Sequence, residues 1–269
     1  METKLTILGT GNAMAVDCYN TCFALETGEG ILLVDAGGGN GIFRQLRAAG
    51  IPVERIRAMY LTHGHTDHIL GAIWMVRKVA QMMENGKYAG TFRIYGHEKV
   101  ISMLETFCTM TVPGRLMKRW GKELEISVVE NGERFRACGM ELTAFDIHST
   151  KEKQFGFRAV LPNGKTLCCL GDEPFNEACR DYGAGADYLL SEAFCLHGMA
   201  DRFRPYEKHH STALDAGRVA RDLGARTLIL YHTEDETLST RKETYTAESR
   251  EAFPGTVLVP EDLEQFILS

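Results

Sequence analysis

The sequence predicts an α/β chain in which two packed sheets are covered by helices. Short apolar runs of strand length alternate with runs of helical spacing along all 269 residues. Asn163-Gly164 separates two such runs, a two-residue hairpin signal that adds an antiparallel component. An apolar fraction of 44% is ordinary for a globular chain with a sizeable core. With no low-complexity tract, proline-rich linker or short-period repeat, residues 1–269 are expected to form one compact domain, its halves meeting near 150–155.

Leu5–Leu8, Phe23–Glu26 and Ile31–Asp35 open the chain as strands, and Gly37-Gly38-Gly39 turns it into a helix from about Ile42 to Ala49. Ala58–Leu61 is a short strand running straight into a histidine cluster. Behind it Ile69, Ile73, Val76, Ala80 and Met83 fall at helical spacing. The second half has a comparable rhythm. Leu142–Ile147, Phe157–Leu161, Thr166–Leu170, Tyr188–Ser191 and Thr227–Tyr231 read as strands, and Thr212–Leu223 as a helix with Ala213, Leu214, Ala216, Ala220 and Leu223 for its buried side.

Composition narrows the setting. No run approaches the ~20 apolar residues of a membrane span, and Met1-Glu2-Thr3-Lys4 opens no signal-peptide stretch, so a cytoplasmic protein without membrane contact is expected. The eight cysteines form no CxxC pair and lie in strand-like runs such as Cys168-Cys169, as small hydrophobes in a reducing compartment do. A net charge of −6 disfavours electrostatic grip on long nucleic acids and leaves small anionic substrates open.

The chemistry concentrates in His63-Gly64-His65-Thr66-Asp67-His68. His63 and His65 stand two apart after an apolar strand, a spacing that points both to one side. Asp67 and His68 follow where the chain turns into a helix, which returns them toward the same point. Three imidazoles and a carboxylate within six residues supply donors suited to zinc. The bland alternative is a polar loop with exposed histidines.

The run Thr62 to Gly71 resembles the HxHxDH signature of the metallo-β-lactamase superfamily. That resemblance implies a four-layer αββα sandwich with two divalent ions, zinc-type with Mn2+ or Fe2+ as alternatives, at one edge of the inner sheets. It assigns His63, His65 and His148 to one ion, Asp67, His68 and His232 to the other, and Asp172 between them. Histidine rather than glutamate at position 65 sets the chain apart from the flavin-linked di-iron members and implies hydrolysis.

Ser191-Glu192-Ala193-Phe194, His210-Ser211-Thr212 and Ala225–His232 further resemble ribonuclease Z and its phosphodiesterase relatives. Carried over, His210 assists phosphate stabilisation and leaving-group protonation, Glu192 holds its imidazole, and Asp67 also bonds the attacking water. His210 precedes a helix whose first N–H groups favour an anion; alternatively Ser211 or Thr212 only caps it. His209 is a possible substitute for His210. Leu8-Gly9-Thr10-Gly11-Asn12 resembles the opening of the same subgroup, and Tyr19 and Asn20 are either pocket lining or loop packing.

Ribonuclease Z carries a transfer-RNA-binding arm between the third histidine and the bridging aspartate. Here that interval is 24 positions, mostly taken by the Asn163-Gly164 hairpin, which argues against transfer RNA and for a small phosphoester. Relatives often form homodimers. A carboxylic ester, lactone or thioester hydrolase and a non-catalytic metal-binding protein of the same fold remain alternatives. His97 is expected to start a helix and bond locally, and Asp201–Arg204 to form a solvated loop or to cover substrate through Arg202 or Arg204. Met75, Met82, Met83, Met103, Met110 and Met117 read as core or apolar pocket wall, and residues 81–122 as a region that bears on substrate choice.

Overall fold

A computed structural model describes residues 2–269. One seven-stranded sheet runs in the order β14 (Gln265–Leu268), β1 (Thr3–Gly9), β2 (Cys22–Thr27), β3 (Gly30–Val34), β4 (Ile56–Tyr60), β5 (Phe92–Gly96) and β6 (Leu124–Val128). The other runs β7 (Arg134–Ala137), β8 (Met140–Asp146), β9 (Phe155–Val160), β10 (Thr166–Cys169), β11 (Tyr188–Glu192), β12 (Thr227–Tyr231) and β13 (Thr256–Leu258). Each sheet has three antiparallel pairings followed by three parallel ones, so the similar rhythm of the two halves corresponds to similar topology.

Alternation along the strands sorts side chains into three apolar clusters. Leu32, Val34, Ala58 and Tyr60 of the first sheet meet Leu142, Phe157, Leu167 and Ile229 of the second. Each fully buried Leu or Phe in this seam contributes roughly 1.5–3 kcal/mol. Their neighbours Ile31, Leu33 and Met59 face outward against Ile42 and Leu46 of α1 (Gly41–Ala48) and Ile69, Val76 and Val79 of α2 (Thr66–Glu84). On the far side Leu189, Leu228 and Leu230 pack against further helices. The layers are therefore helix, sheet, sheet, helix, the predicted αββα sandwich.

The remaining helices are α3 (Glu98–Thr111), α4 (Gly114–Met117), α5 (Arg180–Gly183), α6 (Ala200–Phe203), α7 (Ala213–Asp222) and α8 (Leu238–Arg250). The expected helix behind the histidine cluster begins at Thr66, three residues earlier than its apolar spacing implies, so Asp67 and His68 lie in its first turn. Gly71 lets it come that close. A Cβ there would sit 1.8 Å from the Ala36 carbonyl oxygen, and the Gly71 N–H donates to Gly37 O at 2.8 Å. Apolar periodicity misses α8, whose buried side is Arg241, Tyr245 and Ser249. It docks through polar contacts: Arg241 donates to Thr233 Oγ1 and Pro260 O, and the Tyr245 hydroxyl to Glu234 Oε1.

The eight cysteines are unpaired thiols. Among the described residues no helix is long and apolar enough to cross a membrane. Most of the singled-out methionines pack as expected: Met75 is fully buried, and Met82, Met83, Met103 and Met117 lie against the core. Met110 departs from this at 78% exposed.

Candidate metal centre

Strands whose carboxyl ends point the same way place the chemistry at one edge of the sandwich, as open parallel sheets do. β4 leads through Leu61-Thr62 to His63, β10 to Asp172, and β12 to His232. The two sheets are tied beside this edge by Tyr60 Oη donating to Gly156 O at 3.0 Å and by Phe155 N–H donating to Thr62 O at 3.0 Å.

Two triads of donors result, His63–His65–Asp172 and Asp67–His68–His232, each with its ligand atoms within 4.8 Å of one another. Asp172 Oδ2 stands at the centre, 3.5 Å from His63 Nε2, 3.4 Å from His68 Nε2 and 3.5 Å from His232 Nε2. His68 Nε2 is 3.3 Å from Asp67 Oδ2 and has no hydrogen-bond partner.

Partners behind the rings aim these nitrogens. Asp35 Oδ2 accepts from His68 Nδ1 at 2.7 Å and from the Thr62 hydroxyl at 2.6 Å, while Asp35 Oδ1 accepts from Thr62 N at 2.9 Å. With its only proton spent on Asp35, Thr62 Oγ1 accepts from His63 Nδ1 at 2.9 Å. Thr21 repeats the device. Its hydroxyl donates to Gly11 O at 3.0 Å and accepts from His232 Nδ1 at 3.1 Å. Nδ1 is thus turned outward on all three rings and each Nε2 faces the centre, the orientation a metal ligand needs. Gln154 Nε2, 3.0 Å from His63 Nδ1, donates to Asp172 Oδ1 at 2.5 Å.

Charge balance makes the same point. Burial holds His63 well below the ordinary histidine range and His232 at about 3, so both stay neutral. Burial opposes the charge on Asp67 and Asp172 too, but the neighbouring histidines outweigh it and hold both carboxyls below their usual range. For His68 burial is outweighed by Asp67 and Asp35, which raise its pKa well above 6.5. The carboxylates thus draw a positive charge to His68 Nε2, and a divalent cation meets the same demand there without a proton. Buried nitrogen and carboxylate donors, an orphaned His68 Nε2 and a single carboxylate oxygen within 3.5 Å of three ring nitrogens fit a metal ion.

His148 is placed otherwise than the set around it. It follows β8 with a left-handed φ of 59°, its backbone N–H is taken by Asp146 Oδ1 at 2.8 Å, and its side chain is exposed, outside both triads. Asp35 and His232 share such a backbone, with φ of 53° and 59°. Non-glycine residues rarely adopt this region, and those that do cluster where a strand end must aim a functional side chain.

His210 is buried beside the triads. Its ring stacks on Phe194 with centroids 4.7 Å apart and lies 5.3 Å from that of His232. Its Nδ1 stands 3.7 Å from Glu192 Oε2, and neither atom has a hydrogen-bond partner. Glu192 Oε1 accepts from Ser211 N at 2.5 Å; burial raises this carboxyl's pKa, against the lowering pull of His210 and Ser211. His209 instead is exposed and faces Thr150 Oγ1 at 3.0 Å. The residue that caps α7 is Thr212, whose Oγ1 accepts from Asp215 N at 3.3 Å while Asp215 Oδ2 accepts from Thr212 N at 3.2 Å.

Other singled-out residues serve structure. Tyr19 Oη, shared between Ala36 O at 2.9 Å and Gly39 O at 3.0 Å, and Asn20, bonded to Asn12 O and Gly38 N, brace the glycine turn. His97 caps α3, its Nδ1 accepting from Val100 N at 3.3 Å. Arg202 pairs with Glu236 and Arg204 with Glu207. Asp35 and Thr21 were not picked out from sequence. Only the polar end of an apolar strand marked Asp35, and nothing marked Thr21.

Known proteins resemble this chain along most of its length. The family model described as anti-Pycsar protein Apyc1 matches residues 3–246. A ribonuclease Z of Thermobifida fusca is 25% identical over 98% of this chain and 94% of its own length. The probable metallo-hydrolase YhfI of Bacillus subtilis is 25% identical over 85% and 86%. The solved YhfI structure superposes with a TM-score of 0.79 at 20% identity, covering 99% of this chain and 100% of that one. A diphosphatase of the PhnP family gives 0.75 at 19%, covering 100% and 98%. The chain belongs to the anti-Pycsar protein Apyc1 family, and with it to the metal-dependent hydrolases of metallo-β-lactamase fold.

Proposed function

We propose that this hydrolase is a dinuclear phosphodiesterase acting on a small linear or cyclic phosphoester. The observation that carries the reading is the His210–Glu192 pair set against His232, a proton-handling group beside the donor triads. His63, His65 and Asp172 would hold one ion and Asp67, His68 and His232 the other, Asp172 bridging. His148, next to Ser149, whose hydroxyl donates to Glu173, would complete the first set by a side-chain rotation. Two divalent ions held there would polarise a phosphoryl group and ease deprotonation of water.

The protein groups divide the remaining work. Asp67, kept ionised, accepts a hydrogen bond from the attacking water. Glu192 and His210 would have to close by about 0.5–1 Å to form an Nδ1–H···Oε2 bond, which fixes the ring and leaves Nε2 to carry the proton for the leaving oxygen. Phe194 keeps that ring in plane.

The interval from His148 to Asp172 supports a small substrate. It holds one loop, β9, the hairpin turn and β10, which leaves no length for an RNA-gripping arm. Metal quantification with a panel of linear and cyclic phosphodiesters, lactones and thioesters tests the reading. Turnover of bis-p-nitrophenyl phosphate with two ions per chain is expected. Inert phosphodiesters alongside a hydrolysed lactone or thioester would refute it, as would stoichiometry well below two after reconstitution.

A further inference from the structure

We propose that Lys151 is a substrate-binding residue of this site, its ammonium taking a phosphoryl oxygen beside His210; the inference rests on the phosphoester reading above. Lys151 lies on the loop between β8 and β9, which is pinned to the residue after Asp172. Ser149 Oγ donates to Glu173 Oε1 at 2.5 Å, and Thr150 N–H donates to Glu173 Oε2 at 3.2 Å. Thr150 Oγ1, 3.0 Å from His209 Nδ1, clips the same loop to the segment that carries His210.

So held, the Lys151 side chain reaches across to the catalytic candidate. Its Nζ donates to Lys208 O at 3.1 Å, stands 3.9 Å from Glu173 Oε1 and lies 3.4 Å from His210 Nε2. An ammonium has three donors. The Lys208 carbonyl takes one, the glutamate contact is too long for a good hydrogen bond, and the approach to His210 Nε2 is long and weak. At least one donor is therefore available at the atom from which the leaving oxygen takes its proton.

Lys151 supplies positive charge at a corner that also holds the buried carboxylates of Glu173 and Glu192. Lys208 Nζ lies 5.1 Å over the Phe194 ring on which His210 stacks, so two ammonium groups flank this corner of a chain whose net charge is −6. Lys151 is exposed as a residue while its side chain is 25% exposed, so an ion pair there is partly screened by water.

The test titrates inorganic phosphate into the metal-loaded wild type, Lys151→Met and Lys151→Arg by calorimetry. Turnover of bis-p-nitrophenyl phosphate, metal content and melting temperature are measured on the same samples. Lys151→Met is expected to weaken phosphate binding and raise KM by about 10- to 100-fold, the size of a lost charge-assisted hydrogen bond. Metal content and melting temperature should hold, and arginine should restore most of the affinity. Should the methionine variant not fold, Lys151→Gln gives the same comparison. Phosphate affinity of the neutral variant within about twofold of wild type overturns the assignment, as that hydrogen bond would then be absent. So does a wild type that binds no phosphate. Phosphate bound through Lys151 by an enzyme that leaves phosphodiesters intact would instead refute the substrate class and leave the role of Lys151 standing.

Discussion

Replacing Asp35 by asparagine should cost the site its metal while leaving the fold intact. Asp35 accepts three hydrogen bonds, from Thr62 N at 2.9 Å, Thr62 Oγ1 at 2.6 Å and His68 Nδ1 at 2.7 Å. Asparagine keeps an oxygen for the first and turns an NH2 toward the other two. The Thr62 hydroxyl can rotate to accept; His68 can answer only by moving its proton from Nδ1 to Nε2. That puts a hydrogen on the nitrogen 3.4 Å from Asp172 Oδ2 and removes the lone pair from the site. Losing such a support behind a ligand typically costs 10- to 100-fold in metal affinity, or about 1.4–2.8 kcal/mol. Asparagine tolerates the left-handed φ of 53°, so the change is confined to the hydrogen bonds that Asp35 makes, whereas alanine would add roughly 1–2 kcal/mol of backbone strain. Chelator competition reads the affinity and nitrogen NMR of the His68 ring reads the tautomer. Metal affinity within about threefold of wild type, with the ring proton still on Nδ1, would refute the account of how Asp35 acts.

His210→Ala should lower kcat by about 10²–10⁴ with metal content unchanged, and Glu192→Gln by less. A larger loss from Glu192→Gln than from His210→Ala would contradict a positioning role for Glu192. His148→Ala should loosen one of the two ions by roughly tenfold or more in the same chelator assay; unaltered affinity and stoichiometry would remove His148 from the ligand set. The metal-free protein should weaken in urea as pH falls from about 6.5 toward 3. Burial keeps His63 and His232 neutral in the fold, His232 down to about 3, while the unfolded chain protonates both below 6.5. The unfolded state thus binds more protons across that window, with a slope of up to about 1.4 kcal/mol per pH unit for each histidine. His68, raised, is charged in both states there and adds nothing. Urea midpoints that stay flat from pH 7 to pH 4 would show that the two rings are not held neutral.

Much of the fold was legible because its signals are local. Strand-length apolar runs, the Asn163-Gly164 turn and the α2 spacing are each read within a short window of sequence, and the layers follow from covering apolar faces. α8 was not legible, because polar groups dock it, and neither was β14, whose place depends on pairing with β1 at the other end of the chain.

The same division runs through the metal centre. His63, His65, Asp67 and His68 lie within six residues, so their spacing alone brought them together, and Asp172 and His232 were marked by the apolar strands they follow. Tertiary structure alone decided which nitrogen each ring presents, since Asp35 is 33 residues from His68 and Thr21 is 211 from His232. It buried the His210 ring against Phe194 and left that of His209 in solvent. It also left the His148 side chain exposed and outside both triads, on the same left-handed backbone from which His232 faces inward. Sequence carries the identity and local spacing of donors; the direction of a side chain at a strand end is set by its rotamer and by partners that only folding brings near.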